Sequence, residues 1–208
     1  MVGGDRGAQV LQRLDGILRE RGERFRDAGC NDLAGYRAAR PNETTPRILL
    51  VVDEFQQFFV EDDKLAQEAS LLLDRLVRQG RAFGIHLLMG SQTIGGAYSL
   101  ARTTIDQMAV RIALQCSEAD AHLILSRENT EARLLNRPGV AISNAQNGQV
   151  EGNNFFQIVF ITDEQRDDLL KKIHETVKDR HWRRSEPMIV FEGNLPADPK
   201  KNKYLIPG

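Results

Sequence analysis

The strongest constraint in the sequence is the stretch Arg47 to Phe55, R-I-L-L-V-V-D-E-F, in which an unbroken apolar run meets two adjacent carboxylates. Ile48 to Val52 shows no polar alternation, the pattern of a strand covered on both faces, as in a parallel sheet between helices. Asp53 and Glu54 then fall at the carboxyl end of that strand, the edge of an open α/β sheet at which ligands bind. Two neighbouring acids there suit a nucleotide site. One can position Mg²⁺ through its water shell and the other orient a hydrolytic water, because Mg²⁺ keeps several waters and takes few carboxylates. The same pattern also fits a core strand that simply runs into a polar turn.

The residues that follow build a frame around this strand. The acidic turn Glu61-Asp62-Asp63 offers N-caps and favourable charge to a helix. Its apolar stripe is Leu65, Ala69, Leu72, Leu73, Leu76 and Val77, closed by Gly80 and Gly84. Ile85 to Met89 reads as a second buried strand ending in Gly90-Ser91-Gln92-Thr93. Strand, crossover helix and strand predict a right-handed unit with parallel strands, which brings Gln92 to the same edge as Asp53 and Glu54. Its side-chain amide can hydrogen-bond a terminal phosphate or an attacking water there, or it can cap a loop.

Upstream, Val10, Leu11, Leu14, Ile17, Leu18 and Phe25 recur at helical spacing after a glycine lead-in, Gly3 and Gly4, with the helix expected from about Asp5. The opposite face mixes Arg and Glu, a solvated surface rather than a phosphate cluster. Asn31 to Arg40 predicts a short helix or turn, and Pro41 to Pro46 a connection into the central strand. Downstream, Val110 to Leu114 reads as a third strand carrying Arg111. A guanidinium inside an apolar strand either reaches solvent at the strand end or serves an anion, and Arg is the usual choice for charge developing on a transferred phosphoryl group. Ser117 predicts the N-cap of a short helix with Asp120 at the capping-box position. Val140 to Ser143 and Phe155 to Ile161 predict strands around a polar hairpin tip, and Thr162 with Gln165 a capping box for a last helix bearing Leu169, Leu170, Ile173 and Val177. From Arg183 the chain reads as a tail or linker, with Met188 to Phe191 able to add one edge strand.

Composition excludes several classes. A formal net charge of -1 gives no overall basic field for autonomous nucleic-acid binding. Cys30 and Cys116 have no metal-ligand spacing, which suits reduced thiols and a cytoplasmic location. No apolar run approaches transmembrane length.

These landmarks, in this order, resemble the motor domain of FtsK/SpoIIIE-type ATPases, hexameric RecA-like translocases of double-stranded DNA whose relatives include the type VII secretion ATPases. Leu14 to Arg26 followed by Asn31-Asp32-Leu33-Ala34-Gly35-Tyr36 is similar to the family's arginine-rich helix and N-L-A-G-Y segment. Ile48 to Phe55 resembles the Walker B strand, and Gly80-Arg81-Ala82-Phe83-Gly84-Ile85-His86-Leu87 the G-R-A-x-G-I-H-L run. Ser91-Gln92 matches the sensor glutamine, Val110-Arg111-Ile112-Ala113 the T-R-I-A-F strand, and Arg137-Pro138-Gly139 sits where a G-x-G-D turn is expected. The resemblance covers about Leu11 to Ile161.

It implies an α/β, RecA-like P-loop NTPase three-layer fold with a mostly parallel sheet, incomplete at its N-terminal side. A partial motor domain would occupy residues 1–180 and a tail residues 181–208. It further implies ATP and Mg²⁺ as cofactors, with Asp53 assisting Mg²⁺, Glu54 as catalytic base, Gln92 as γ-phosphate sensor and Arg111 acting on a neighbouring subunit's nucleotide. The implied partners are double-stranded DNA and further copies in a ring hexamer. The alternative is a non-catalytic docking module of a type VII secretion-like motor with a secreted protein as partner. The sequence departs from the pattern in three places: no G-x-x-x-x-G-K-[ST] occurs in it, Gln92-Thr93-Ile94 stands for the family's Q-R-P, and the family's C-terminal winged-helix DNA reader is not visible in it. Without the P-loop strand, the sheet is expected to expose apolar surface and unpaired edges, and the chain to self-associate or bind ATP poorly.

Overall fold

The structure, a computed structural model, describes residues 2–61, 63–95 and 102–180. The tail after Arg180, including the candidate edge strand Met188 to Phe191, lies outside the described residues. The chain divides into two units, Met1–Ile158 and Val159–Gly208.

In the first unit the apolar run forms β1 (Ile48–Val52), which pairs in parallel with β2 (Ile85–Met89), Ile48 opposite Ile85 and Val52 opposite Met89. The crossover is α3 (Lys64–Gln79), whose N-cap Asp63 accepts a hydrogen bond from the Ala66 amide at 2.8 Å. Ala66, Ala69, Leu73 and Leu76 recur at three- and four-residue steps and form its buried stripe. α1 (Val2–Asp27) lays Leu11, Leu14 and Leu18 against that stripe, and Phe55, Phe59 and Ile85 complete the core. Fully burying a side chain such as Phe59 or Leu73 contributes about 1.5–3 kcal/mol. Asp15, nearly buried, accepts from Arg75 of α3 at 2.8 Å and from Arg19 at 2.7 Å, fixing how the two helices sit on one another. α1 starts at Val2 rather than near Asp5: the helix runs through Gly3 and Gly4 at a propensity cost of about 1 kcal/mol each.

Both helices lie on one face of the β1–β2 pair. On the other face Leu49, Val51 and Leu88 are 63%, 60% and 54% exposed, so the unbroken apolar run is covered on one side only among the described residues. That matches the apolar surface expected of a sheet lacking its P-loop strand.

Arg21 and Arg24 of α1 prove to be structural ties. Arg21, 5% exposed, donates to the carbonyl oxygens of Phe83 at 2.6 Å and Pro46 at 2.7 Å. Arg24 reaches Glu43 at 2.8 Å, beside a hydrogen bond from the Tyr36 hydroxyl to the same carboxylate. The two partners hold the Glu43 carboxyl below its usual range, Tyr36 first and Arg24 second. α2 (Leu33–Ala39), capped by Asp32, stacks Tyr36 on Phe25 with ring centroids 4.5 Å apart.

Among the described residues, parallel pairing is confined to β1 and β2. β3 (Arg111–Ala113), β4 (Val140–Asn144) and β5 (Asn153–Gln157) form a separate antiparallel sheet, Arg111 opposite Asn144 and Ile142 opposite Phe155. α5 (Glu118–Ile124) covers it through Ala121, with Leu125, Ala132 and Leu135 against Ala113 and Ile142. α4 (Arg102–Asp106) precedes β3. β5 stops at Gln157, halfway through the apolar run, and Ile158 N makes the last bond across, to Gly139 O at 2.8 Å. The partner ends there because Pro138 has no N–H to extend β4 and Gly139 turns at φ +78°.

In the second unit, α6 (Asp163–Asp179) begins with the predicted capping box: the Gln165 amide donates to Thr162 Oγ1 at 3.2 Å, and the Thr162 amide to Gln165 Oε1 at 3.1 Å. No helix among the described residues is long and apolar enough to cross a membrane.

Candidate functional site

Asp53 and Glu54 emerge at the carboxyl end of β1, where Gly90 N donates to Val52 O at 2.8 Å and Phe55 N to Gly90 O at 3.1 Å. These bonds lock the turns after β1 and β2 together. A Cβ on Gly90 would stand 3.2 Å from Asp53 Oδ1, so glycine leaves that carboxylate room. Asp53 Oδ1 accepts from the Glu54 amide at 3.1 Å, and Asp53 is otherwise open to solvent.

Glu54 adopts φ 53°, ψ 46°, the left-handed region, which a non-glycine residue enters at a cost of order 1 kcal/mol or more. The conformation starts a 3-10 turn, Phe55–Phe59, whose Phe55 and Phe59 are buried anchors. It also brings the Glu54 carboxylate back onto Gln56, whose Nε2 donates to Glu54 Oε2. Gln56 is 6% exposed, and its Oε1 accepts from Ser91 Oγ at 2.5 Å. The catalytic candidate and the loop after β2 are therefore joined through one buried amide. Sequence reasoning passed over Gln56; its signal is a glutamine pair inside F-Q-Q-F-F, too polar for so apolar a turn unless the site uses it.

Gln92 lies exposed at the same edge, one residue beyond Ser91. Its loop is tethered to α5 through Asp120, which accepts from Thr93 Oγ1 and the Ile94 amide, each at 2.9 Å, and from Ser117 Oγ at 2.8 Å. Burial alone would raise the Asp120 carboxyl. The Ile94 amide, the Ser117 and Thr93 hydroxyls and the Gly95 amide outweigh it and hold the group below the usual aspartate range. A depressed carboxyl stabilises the fold fully above its unfolded pKa of about 3.9 and loses that contribution as pH falls through the lower folded value. The stability gap between wild type and Asp120→Asn should thus stay constant above about pH 4 and close below it. Denaturant unfolding across pH checks this, and a gap that widens in acid would refute it.

Arg111 is 7% exposed, and its guanidinium donates to backbone oxygens: Met108 from Nε at 3.2 Å, Ile124 from Nη1 at 3.3 Å, Leu125 also from Nη1, and Asp106 from Nη2 at 3.3 Å, with the Asp106 carboxylate 3.8 Å from Nη2.

For Mg²⁺ the fit is one of few ligands. No three metal-ligating side chains converge among the described residues, and Asp53 offers one solvent-facing carboxylate. That suits a hydrated ion whose remaining ligands are waters and phosphate oxygens.

Solved structures share the fold. The chain superposes on the conjugation coupling protein TcpA of pCW3, in its monomer form with ATPγS, with a TM-score of 0.67 at 19% identity, over 83% of this chain and 50% of that one. It superposes on ATPases 2 and 3 of EssC from Geobacillus thermodenitrificans with a TM-score of 0.68 at 15% identity, over 91% of this chain and 35% of that one. This is a partial RecA-like P-loop ATPase fold. In sequence, the chain is 32% identical over 121 residues to the ESX-5 secretion system protein EccC5 of Mycobacterium tuberculosis, covering 54% of this chain and 8% of that protein. It is 28% identical over 119 residues to the ESX-3 protein EccC3 of the same organism, 52% of this chain and 9% of that protein. The chain thus spans less than a tenth of the length of these relatives. No family model matches the sequence.

Proposed function

We propose that this chain is the Walker B portion of an ATP-driven motor in which Asp53 helps hold the Mg²⁺ of ATP, Glu54 orients and deprotonates the attacking water, and Gln92 reads the terminal phosphate. The observation that carries the reading is the joined carboxyl edge of β1 and β2. There Glu54 is held in a costly backbone conformation with its carboxylate fixed by Gln56, and Gln56 is held by Ser91 next to Gln92. A strained acid pinned to a phosphate-sensing loop serves catalysis better than it serves stability. Mg²⁺, when bound, supplies the charge that neutralises the phosphate oxygens.

The amides and lysine that cradle the phosphates come from outside these 208 residues, since the sequence holds no such loop. Arg111 has no part in this set. With its donors committed to the carbonyls that end α4 and α5, it acts as an internal cap.

The motor works between subunits of a ring, and its cargo is a secreted protein. The likeness to EccC5 and EccC3 and the absence of a basic field favour that cargo over double-stranded DNA. Mg²⁺-ATP turnover by this chain, joined to a segment bearing the phosphate loop, tests the reading. Turnover unmoved by duplex DNA and raised by an exported protein is expected. Stimulation by duplex DNA would assign a DNA translocase instead, and no turnover would end the ATPase reading.

A further inference from the structure

A second concave site lies at the opposite end of the parallel pair. Arg47 immediately precedes β1, about 20 Å along the strand from Asp53, and His86, opposite Leu49, is the second residue of β2, about 13 Å along from Asp53. With Arg81 and Asp32 they line a pocket of about 380 Å³, floored by Leu33 and Ala82. That volume falls in the range of small-ligand sites. Neither the Arg47 nor the Arg81 guanidinium is hydrogen-bonded or ion-paired to a described residue.

The pocket is held in shape by bonds that leave those arginines free. Leu33 N donates to Ala82 O at 2.8 Å, and Ile48 N to Gly84 O at 2.9 Å. Arg21 clasps Phe83 and Pro46, and Arg37 Nη2 donates to Thr45 O at 2.7 Å. Gly84, at φ +74°, has Leu33 Cδ2 where a Cβ would stand, so the loop bearing Arg81 can close onto α2 only with glycine there. Both loops that present the cations are therefore anchored before any ligand arrives.

We propose that this pocket binds a phosphate group, free or on a nucleic-acid backbone, between Arg47, Arg81 and His86. Unpaired guanidinium groups sharing one concavity repel each other until an anion sits between them. Phosphate, with up to two charges and at least three acceptor oxygens, matches two guanidinium forks and an imidazole better than a carboxylate does. Asp32 opposes binding, although its Oδ1 is occupied by the Gly35 amide at 2.8 Å. The site is independent of the ATPase reading.

The test is titration of pyrophosphate, without Mg²⁺ and at physiological ionic strength, into the full chain, followed by amide NMR and calorimetry. Shifts are expected at Ala82, Gly84 and His86 and not at Glu54 or Ser91. Arg47→Ala and Arg81→Ala should each weaken binding by about tenfold, the scale of a lost charge-assisted hydrogen bond. Asp32→Asn keeps the helix cap and removes the repulsion, so binding should tighten by about threefold. A short DNA duplex that displaces pyrophosphate from these residues would identify the phosphate as a nucleic-acid one; a duplex that does not would identify a small phosphorylated molecule. No shift at Ala82 to His86, or unchanged affinity in both arginine variants, overturns the proposal.

Discussion

Replacing Glu54 by Gln is expected to leave nucleotide binding within about threefold of wild type and to cut ATP turnover by about 100-fold or more, the span of a positioned general base. The replacement is nearly isosteric. Glutamine keeps an oxygen to accept from Gln56 Nε2, so the left-handed turn and the buried Phe55 and Phe59 anchors survive. What disappears is the negative charge that draws a proton from the attacking water. Binding, which rests on the phosphate cradle and Mg²⁺, has no reason to follow. Gln56→Ala provides the companion case. It leaves Glu54 charged but unheld, so turnover should fall by about tenfold, with kcat affected more than KM. Steady-state hydrolysis and nucleotide titration on the assembled motor measure both. Turnover of Glu54→Gln within tenfold of wild type would remove Glu54 from the base role.

The central pair was legible because two periods are written into consecutive stretches. Ile48 to Val52 has no polar break, and Ala69, Leu73 and Leu76 keep a helical step between it and Ile85, although Ala66 rather than Leu65 starts the buried stripe. Chain connectivity then forces the parallel pairing and puts Asp53 and Ser91 at one edge. The left-handed Glu54 was not legible, because such a backbone ordinarily advertises itself through glycine or asparagine, and here tertiary bonds from Gly90 and Gln56 impose it. The partners of Arg111 were not legible for a related reason. An arginine in an apolar strand signals an anion or a strand end, whereas its partners are carbonyls of Ile124 and Leu125, reachable only once α5 has folded over the strand. The half-length of β5 was hidden as well: Phe155 to Ile161 is apolar throughout, and its end is set by Pro138 and Gly139 on the partner strand.

Replacing Gly148 by Ala is expected to destabilise the first unit by about 3 kcal/mol or more, from the left-handed backbone and the overpacking together. Gly148 sits at φ +81° in the loop between β4 and β5, inside an asparagine network. Its amide donates to Asn144 Oδ1 at 2.9 Å, and its carbonyl accepts from Asn129 Nδ2 at 2.8 Å. Asn129 and Asn144 are both fully buried, and both donate to Asn153 Oδ1, at 2.9 and 2.8 Å. A Cβ at Gly148 would lie 2.8 Å from Leu125 Cα and closer still to its carbonyl carbon and oxygen. These are backbone atoms, so no rotamer change relieves the overlap, and moving the loop away breaks bonds to two buried amides. Leu125 O also accepts from Arg111, so the displacement would reach the end of α5. Asn147, one residue earlier at φ 53° but exposed, provides the control: Asn147→Gly should change stability by less than about 1 kcal/mol, since asparagine already tolerates that region. Thermal unfolding should show Gly148→Ala melting roughly 6–12 °C below wild type and Asn147→Gly close to it. A Gly148→Ala midpoint within a degree or two of wild type would mean that the loop is not seated on Leu125.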